Sequence, residues 1–284
     1  MPRGRRPQVH GIQTVGATVL RQLRERAGLT LLEVEAVTEG QIGAAHLQRI
    51  ESGKTKLPDR GTLVTILAAL GTSYPNQRVV LENFGYKAPT GLPTEAEIAA
   101  ARALCETELA TATWPVYLSD CALRLLAWNR YVPRLLGRDP DDPALERFLN
   151  CTILDLAFNP DFETPFLIDN PDEFLPALLR LVKGNLLPFQ GEAWYDTLIS
   201  RGMALPGFAK LWNTISDEMV EKVGAHINVP MRIDVPQVGL LSFVLAGSNL
   251  VHDPRFVVVH YTPFGVITLR QCALWAEAEG VWQR

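Results

Sequence analysis

Residues 29–50 read LTLLEVEAVTEGQIGAAHLQRI, and this stretch predicts two short helices joined by a tight turn. Thr30 is placed to cap the first helix, and Glu33 follows at the three-residue spacing of a capping box. The first helix is expected to end at Gly40, because glycine readily adopts the positive φ found at helix C-termini. The second helix is predicted to run from about residue 42 to residue 51.

Each of these helices has an apolar side. In the first, Leu32, Ala36 and Val37 lie close together on the helix surface, so we expect them to face a core. In the second, Leu47 and Ile50 are almost one turn apart and form the inner side. Two short helices with apolar inner sides need further helices to complete a core.

The outer side of the second helix carries almost no bulky apolar group. It consists of small and polar residues, namely Gly43, Ala44, His46, Gln48 and Arg49. Such a side gains little from burial, and its small residues let the backbone approach a partner closely. This is the helix-turn-helix pattern, in which the second helix enters the major groove of DNA with its N-terminus first.

Charge is divided unevenly along the 284-residue chain. The net charge is −4, but residues 1–90 hold 12 Lys and Arg against 7 Asp and Glu, whereas residues 91–284 hold 15 against 24. A basic first part joined to an acidic second part indicates that only the first part meets a polyanion. Near the N-terminus, Arg3, Arg5 and Arg6 either reach a DNA backbone or minor groove or belong to a solvated tail.

The composition argues against several classes of protein. A hydrophobic fraction of 47% is enough for a core, so a disordered chain is not expected. The sequence has neither a run of roughly 18 apolar residues that would span a bilayer nor a secretory signal. Its four cysteines, Cys105, Cys121, Cys151 and Cys272, follow no metal-site or disulfide pattern. We predict a cytoplasmic protein with free thiols and no membrane partner.

The flanking residues extend the pattern to an all-α bundle of five helices. Further helices are predicted at about residues 15–27, 62–70 and 76–84. Residues 20–71 include the stretches LRQLRERAGLT, LQRIESGK and LVTILAALG. Through these stretches they resemble the XRE (Cro/repressor-like) helix-turn-helix domain. Leu31 departs from that family, many members of which have a phosphate-binding Gln there. The resemblance implies sequence-specific binding to double-stranded DNA.

The residues expected to contact DNA lie on or beside the outer side of the second helix and in the loop after it. Gln can bind adenine, Arg can bind guanine and alanine can contact a thymine methyl group, whereas loop cations bind phosphates. The predicted DNA-binding residues are Gln41, Ala44, Ala45, His46, Gln48, Arg49, Lys54, Lys56 and Arg60. Three alternatives stay open: Arg49 pairs with Glu33 or Glu51 inside the bundle, His46 contacts the DNA backbone, or the loop cations are only solvated.

The second part of the chain predicts strands towards both of its ends. Residues 85–98 are rich in Pro and Gly and form a linker between domains at residues 1–84 and 99–284. Strands are predicted at residues 116–118, 123–128, 231–233, 238–245 and 256–261. A helix capped by Asn129 is predicted to run toward residue 136, helical patches to fill residues 144–222, and a last helix to span residues 266–279. This order fits an α+β domain with a five-stranded antiparallel sheet and helices on one side.

Three stretches of this second part carry another resemblance. The matching stretches are WPVYLSD and LLAWNR within residues 114–130, FAKLW at 208–212, and DPRFVVVHYTPFG at 253–265. They resemble the ligand-binding domain of MmyB-like transcription regulators. The resemblance implies a PAS-like fold in a regulator that senses a small molecule, with links to antibiotic or secondary metabolism.

Aromatic residues of the second part suit an apolar pocket between sheet and helices, which would bind a small apolar or lipid-like, for instance fatty-acid-like, effector. The predicted ligand-binding residues are Trp114, Tyr117, Trp128, Asn129, Phe158, Arg180, Phe208, Trp212, His260 and Tyr261. Asn129, Arg180 and His260 are the candidate polar contacts. The aromatic residues equally fit a packed core, and Trp128 with Asn129 fits a strand end followed by a helix cap.

Enzyme motifs are missing from the sequence. It has no GxSxG, HExxH, P-loop or Gly-rich dinucleotide fingerprint. His226, His252 and His260 have Asp234 and Asp253 nearby in sequence, but they follow no catalytic spacing. We predict neither catalysis nor a metal or cofactor, and nothing in the sequence fixes a haem pocket around His260.

These patterns predict a sequence-specific transcription regulator that responds to a small molecule. It should bind DNA as a homodimer, because one helix reads few base pairs and two helices about 34 Å apart read a palindrome. The effector would favour one dimer geometry over another. The alternative is a DNA-tethered module whose second domain recruits a protein partner and binds no ligand.

Overall fold

The computed structural model describes residues 9–88, 90–216 and 229–279, so the predicted basic arm at Arg3, Arg5 and Arg6 lies outside the described residues. The chain divides into two units, Met1–Pro89 and Thr90–Arg284. The first unit is helical and the second combines a sheet with helices. The predicted α+β class, with a helical N-terminal part and a five-stranded C-terminal sheet, is confirmed.

In its described part, the first unit is a bundle of five helices. They are α1 (Val9–Arg26), α2 (Leu31–Val37), α3 (Ala44–Glu51), α4 (Arg60–Ala69) and α5 (Tyr74–Asn83). Each helix contributes a side chain with no exposed surface: Leu20, Val34, Leu47, Leu63 and Val80, in that order. The five helices therefore share one core.

Thr30 and Glu33 form the capping box predicted at the start of α2. The Glu33 N–H donates to Thr30 Oγ1 at 3.2 Å, and the Thr30 N–H donates to Glu33 Oε2 at 2.6 Å. These bonds satisfy N–H groups that a first helical turn leaves unpaired. The start of α2 is thus determined locally by two residues.

The prediction that Leu32, Ala36 and Val37 face the core is wrong. Leu32 is 71% exposed and Val37 is 56% exposed, and Ala36 is also exposed. The buried side of α2 is set instead by Val34 and Thr38, which are four residues apart. Thr38 is compatible with the core because its hydroxyl donates to the Val34 carbonyl oxygen at 2.8 Å. A polar residue with a satisfied hydroxyl therefore occupies a position that apolar periodicity does not reveal.

The second unit is built on an antiparallel sheet of strand order β2-β1-β5-β4-β3. The strands are β1 (Val116–Asp120), β2 (Leu125–Trp128), β3 (Met231–Val235), β4 (Gly239–Asn249) and β5 (Phe256–Pro263). The central strand β5 pairs with β1, where His260 lies opposite Val116, and with β4, where Tyr261 lies opposite Leu245. Pairing of β1 with β5 thus joins the two ends of this unit.

Helices cover both faces of this sheet. The α-helices in the described residues are α6 (Glu95–Thr111), α7 (Val132–Leu135), α8 (Ile153–Phe158), α9 (Thr164–Leu167), α10 (Pro171–Leu186), α11 (Ala193–Met203), α12 (Phe208–Thr214) and α13 (Val266–Ala278). On one face, Ile98 and Cys105 of α6 pack with Val116 and Leu118 of β1. Helices α8 and α10 to α13 contribute to a separate, larger core with β3 and β4.

The prediction that the helices lie on one side of the sheet is therefore corrected. All five residues of β1 are buried, and successive side chains of a strand point to opposite faces. A strand buried at every position needs cover on both faces, which α6 supplies on one of them.

The end of the predicted linker is bound to the second unit. Arg255, which is 4% exposed, donates from Nη1 to the carbonyl oxygen of Gly91 at 3.2 Å. It also forms ion pairs with Asp253 at 2.8 Å and with Glu97 at 2.9 Å. Glu97 lies in the first turn of α6, so residues 95–98 of the predicted linker are helical.

Candidate DNA-binding surface and ligand cavity

The outer side of α3 is open to solvent. Its exposed residues are Ala45, His46, Gln48 and Arg49, together with Gln41 just before the helix and the partly exposed Ala44 at its start. The inner side holds Leu47 and Ile50, which have no exposed surface. The bundle thus fixes α3 through its inner side and leaves its polar side free for a partner.

Glu35 of α2 caps the N-terminus of α3. Gly43 precedes α3 and offers no side chain for a cap. Instead, Glu35 Oε2 accepts a hydrogen bond from the Ala44 N–H at 2.8 Å. The carboxylate also matches the positive end of the helix dipole, so it links the two helices of the motif. Sequence reasoning missed this contact, because an acidic residue nine positions before its partner is no capping signal.

Arg49 has no ion pair within the described parts of the chain. The sequence left open a pair with Glu33 or Glu51 inside the bundle. Glu33 caps α2, and Glu51 accepts two hydrogen bonds from Arg24, at 2.7 Å and 2.9 Å. Both carboxylates are engaged elsewhere, so the Arg49 guanidinium is available for a base or a phosphate.

Lys54, Lys56 and Arg60 are exposed around the loop between α3 and α4. The acidic residue of this loop, Asp59, caps α4 and accepts hydrogen bonds from the hydroxyl and the N–H of Thr62. These two bonds, the hydroxyl bond first, lower the pKa of Asp59. The carboxylate is engaged with α4, and the three cations around it suit contacts with phosphates.

An apolar cavity of about 100 Å³ lies in the second unit between the sheet and the helices. Most of its wall is aliphatic or aromatic, as with Leu145, Phe148, Phe174, Leu178 and Met231. The wall residues with polar side-chain atoms are Tyr117, Trp128, Thr164 and Tyr261. Among the described residues, no charged side chain lines the cavity, so its chemistry suits an apolar molecule with few polar groups.

Three of the ten predicted ligand-binding residues line this cavity: Tyr117, Trp128 and Tyr261. Three others form a packed aromatic cluster in the core. Phe208 lies edge-on to Phe158 with ring centroids 5.4 Å apart, and it stacks on Trp212 at 5.2 Å. Arg180 of α10 is partly exposed and lies outside the cavity wall.

His260 lies against Trp114 and Glu108 and not in the cavity wall. Trp114 Nε1 donates to His260 Nδ1 at 3.1 Å, and His260 Nε2 is 2.8 Å from Glu108 Oε1. An indole N–H can only donate, so Nδ1 must accept, and Nε2 carries the hydrogen that is donated to Glu108. With both ring nitrogens engaged, His260 is neither a free polar contact for a ligand nor a free haem ligand.

Asn129 has a structural role. Its Oδ1 accepts the N–H groups of Val116 and Tyr131 at 3.1 and 3.2 Å, and its Nδ2 donates to the Trp114 carbonyl oxygen at 2.7 Å. The residue that directly precedes α7 is Tyr131, and its side chain forms no cap. Asn129 therefore ties the end of β2 to the start of β1, which is closer to the strand-end alternative than to ligand binding.

Among the described residues, no group of three or more His, Cys, Asp and Glu is placed to hold a metal ion. Asp253 is engaged with Arg255, His252 is exposed, and His226 lies outside the described residues. In the same part of the chain, no helix is both long and apolar enough to cross a membrane.

Comparison with known families accounts for both units. A helix-turn-helix domain model matches residues 17–80. The model of the MmyB-like transcription regulator ligand binding domain matches residues 108–265, more than half of the chain. The chain belongs to the MmyB-like transcription regulators. No curated protein gives a match.

Family membership confirms both resemblances found in the sequence. The regulator joins a DNA-binding helix-turn-helix to a ligand-binding domain, so it is a ligand-regulated transcription regulator. Both matched models describe regulatory domains, and neither describes an enzyme.

Proposed function

We propose that this regulator binds a specific DNA operator as a homodimer and that a small apolar or lipid-like effector changes its operator affinity. The observation that carries this proposal is the exposed polar side of α3 on a helix whose inner side is fully buried. A helix held in this way can enter a major groove without any rearrangement of the bundle.

Within this proposal, base edges and phosphates are contacted by different residues. Gln48 and Arg49 read bases, because their side chains form the two-bond pairs that distinguish adenine and guanine. Gln41, Ala44, Ala45 and His46 lie beside them and contact bases or the nearby backbone. Lys54, Lys56 and Arg60 bind phosphates, which position the domain without selecting a sequence.

The effector occupies the cavity and contacts Tyr117, Trp128 and Tyr261. The other seven predicted ligand residues lie outside the wall, and several of them build the core that supports it. An effector shifts the regulator between states only if it binds one state better than the other. Arg255 and Trp194 hold the start of the second unit through Gly91 and Thr90, so a movement in this unit carries these two linker residues with it.

The test starts from an operator selected by the regulator from random-sequence DNA. Small molecules retained after gentle purification are identified by native mass spectrometry, and operator affinity is measured with and without them. We expect a retained apolar molecule that changes operator affinity at constant salt. An unchanged affinity would contradict the ligand-responsive part of the proposal and leave the DNA-binding part standing.

The size of the cavity favours one second candidate, a DNA-tethered module that recruits a protein partner. Ligand pockets usually enclose about 300–1,000 Å³, whereas this cavity has about 100 Å³. This candidate predicts that native mass spectrometry shows no bound small molecule and that the second unit retains a protein partner in a fixed ratio.

A further inference from the structure

Two tyrosines meet in the cavity wall. Tyr117 of β1 and Tyr261 of β5 have ring centroids 5.9 Å apart, and both line the cavity. They come from neighbouring strands, because Tyr117 lies opposite Val259, two residues before Tyr261. In the part of the chain that the structure describes, neither phenol hydroxyl has a hydrogen-bond partner.

Among the described wall residues, the other polar side-chain groups are the Trp128 indole N–H, which can only donate, and the Thr164 hydroxyl. The hydroxyl of Thr164 is engaged with the carbonyl oxygen of Leu156. Burial raises the pKa of Tyr117 and of Tyr261, so both phenols stay neutral at physiological pH. Neither hydroxyl is among the fully buried polar atoms that lack a partner, so both can be reached from the cavity. Phe would fill either position equally well if packing alone mattered, whereas a hydroxyl gains from a hydrogen-bond partner in the cavity.

We propose that Tyr117 and Tyr261 bind the effector through one neutral oxygen, as in a ketone, ester, ether or alcohol, carried on an apolar body. This inference rests on the proposed effector site. An anion or a cation would leave its hydration shell without a counter-charge in the wall. The cavity, at about 100 Å³, is smaller than the roughly 150 Å³ that holds benzene. The bound part is therefore compact or belongs to a larger molecule that enters only in part.

Three probes of similar size separate these chemistries on the full-length regulator. Acetophenone supplies a neutral oxygen, ethylbenzene is its apolar counterpart, and benzoate carries a charge. Calorimetry or ligand-observed NMR should show acetophenone binding about tenfold more tightly than ethylbenzene, with benzoate weakest. The double variant Tyr117→Phe with Tyr261→Phe should lose this preference.

Tyr131→Phe is the matched control, because Tyr131 is 3% exposed but lies outside the cavity wall. It should keep the preference for acetophenone. Equal binding of acetophenone and ethylbenzene, tighter binding of benzoate, or no binding of any probe would overturn the inference. Operator affinity is measured separately without probes, so loss of operator selectivity would indicate failure of the proposed function itself.

A second inference concerns the outer side of α13. Its inner side is buried through Thr268, Cys272, Trp275 and Ala276. The outer side exposes large apolar side chains, namely Val266 (81% exposed), Ile267 (75%), Leu269 (58%) and Leu274 (50%). Surface helices normally present polar residues to water, so a helix that is apolar on both sides indicates a covering partner.

The charges on this side make it complementary to itself. Arg270 and Glu277 are both exposed and lie seven residues, or about two turns, apart on the same side of α13. The midpoint between them falls between Ala273 and Leu274. Two antiparallel copies of α13 related by a twofold axis at this midpoint place each Arg270 opposite the Glu277 of the other copy. A twofold interface has this reciprocal form.

We propose that the outer side of α13 is the surface through which two copies of the regulator associate. The inference deepens the proposed homodimer by naming its contact. Ala273 and Leu274 would pack at the axis, and the two reciprocal ion pairs would fix the antiparallel orientation.

Charge reversal tests this arrangement by light scattering at several protein concentrations. Arg270→Glu alone and Glu277→Arg alone should each shift the dimer dissociation constant at least tenfold, and the double reversal should restore it. Glu106→Arg, at an exposed position on α6, is the control and should leave the constant unchanged. A monomeric wild type, or single reversals without effect, would overturn the assignment. If the single reversals have no effect on a dimer that still prefers its operator, only this surface is refuted.

Discussion

Arg24 of α1 and Glu51, the last residue of α3, form a two-bond ion pair. Arg24 Nε lies 2.7 Å from Glu51 Oε1, and Nη2 lies 2.9 Å from Oε2. The Arg24 side chain is 12% exposed and the Glu51 side chain 5%. This pair anchors the C-terminal end of α3 to α1, whereas Glu35 anchors its N-terminus to α2, so the helix offered to DNA is fixed at both ends.

Removal of one partner of this pair should destabilise the first unit. We expect Glu51→Gln to lower the free energy of unfolding by about 2 kcal/mol, because the partly buried Arg24 guanidinium loses a charged, two-bond partner. Urea unfolding measures the loss. Glu82→Gln is the control, because the Glu82 pair with Arg78 is exposed and does not involve Arg24, and it should leave the midpoint almost unchanged. Equal losses in the two variants would contradict the role given to Glu51.

The capping carboxylates should make the stability of the first unit depend on acid pH. Hydrogen bonds from the N–H and the hydroxyl of Thr30 lower the pKa of Glu33. A carboxyl group with a lowered folded pKa stabilises the fold above its unfolded pKa of about 4.3, and this contribution disappears as pH falls through the folded pKa. The midpoint temperature of thermal unfolding should therefore fall less steeply for Glu33→Gln than for wild type as the pH is lowered from 6 to about 3. The same slope in both proteins would contradict this assignment.

The four cysteines should be unreactive in the native regulator. Burial is the main cause that raises the pKa of Cys121, Cys151 and Cys272 to about 12, and it also raises the pKa of Cys105. Few thiolates therefore exist at pH 8, and the thiolate is the reactive form. A thiol reagent such as dithionitrobenzoate should label the four thiols only after urea is added. Rapid labelling of the folded protein would contradict this expectation.

Two alanines of the second unit allow a substitution beside the cavity to be compared with one in packed core. Ala157 lines the cavity, whereas Ala177 lies in the same core but outside the cavity wall. Ala177→Leu should cost about 1–3 kcal/mol through overpacking, and Ala157→Leu should cost less than about 1 kcal/mol because the added atoms enter free volume. Urea unfolding compares the two variants. A larger loss for Ala157→Leu would show that the cavity offers no usable space, and retained probe binding in that variant would place the ligand elsewhere.

Features of the first unit that depend on neighbouring residues could be predicted from the sequence. The capping box needs only Thr30 and Glu33, and the inner side of α3 needs only the spacing of Leu47 and Ile50. The inner side of α2 depends on tertiary packing, in which Thr38 is buried and Leu32 is exposed. Hydropathy ranks these two residues in the opposite order, so no periodicity argument could have placed them correctly.

Prediction of the cavity from residue type was less successful for a related reason. Tyr117 and Phe208 are both buried aromatic residues, but Tyr117 borders empty space, whereas Phe158 and Trp212 pack against Phe208. An empty space depends on how elements distant in sequence fit together, and aromatic composition does not encode that fit. Aliphatic wall residues such as Leu178 were missed because nothing in the sequence distinguishes a leucine that lines a cavity from one that packs in a core.

The central claim is that α3 reads DNA sequence through its exposed side. Its most direct test uses wild type and a double variant that combines Gln48→Ala with Arg49→Ala. The affinity of each for the selected operator and for random DNA is measured across a salt series. Lys54→Ala is the matched control, and it should weaken both affinities equally and reduce the salt slope by about 1. The double variant should lose about a hundredfold in operator affinity and far less for random DNA, so that the two affinities converge. A double variant that still prefers its operator as strongly as wild type does would contradict the account.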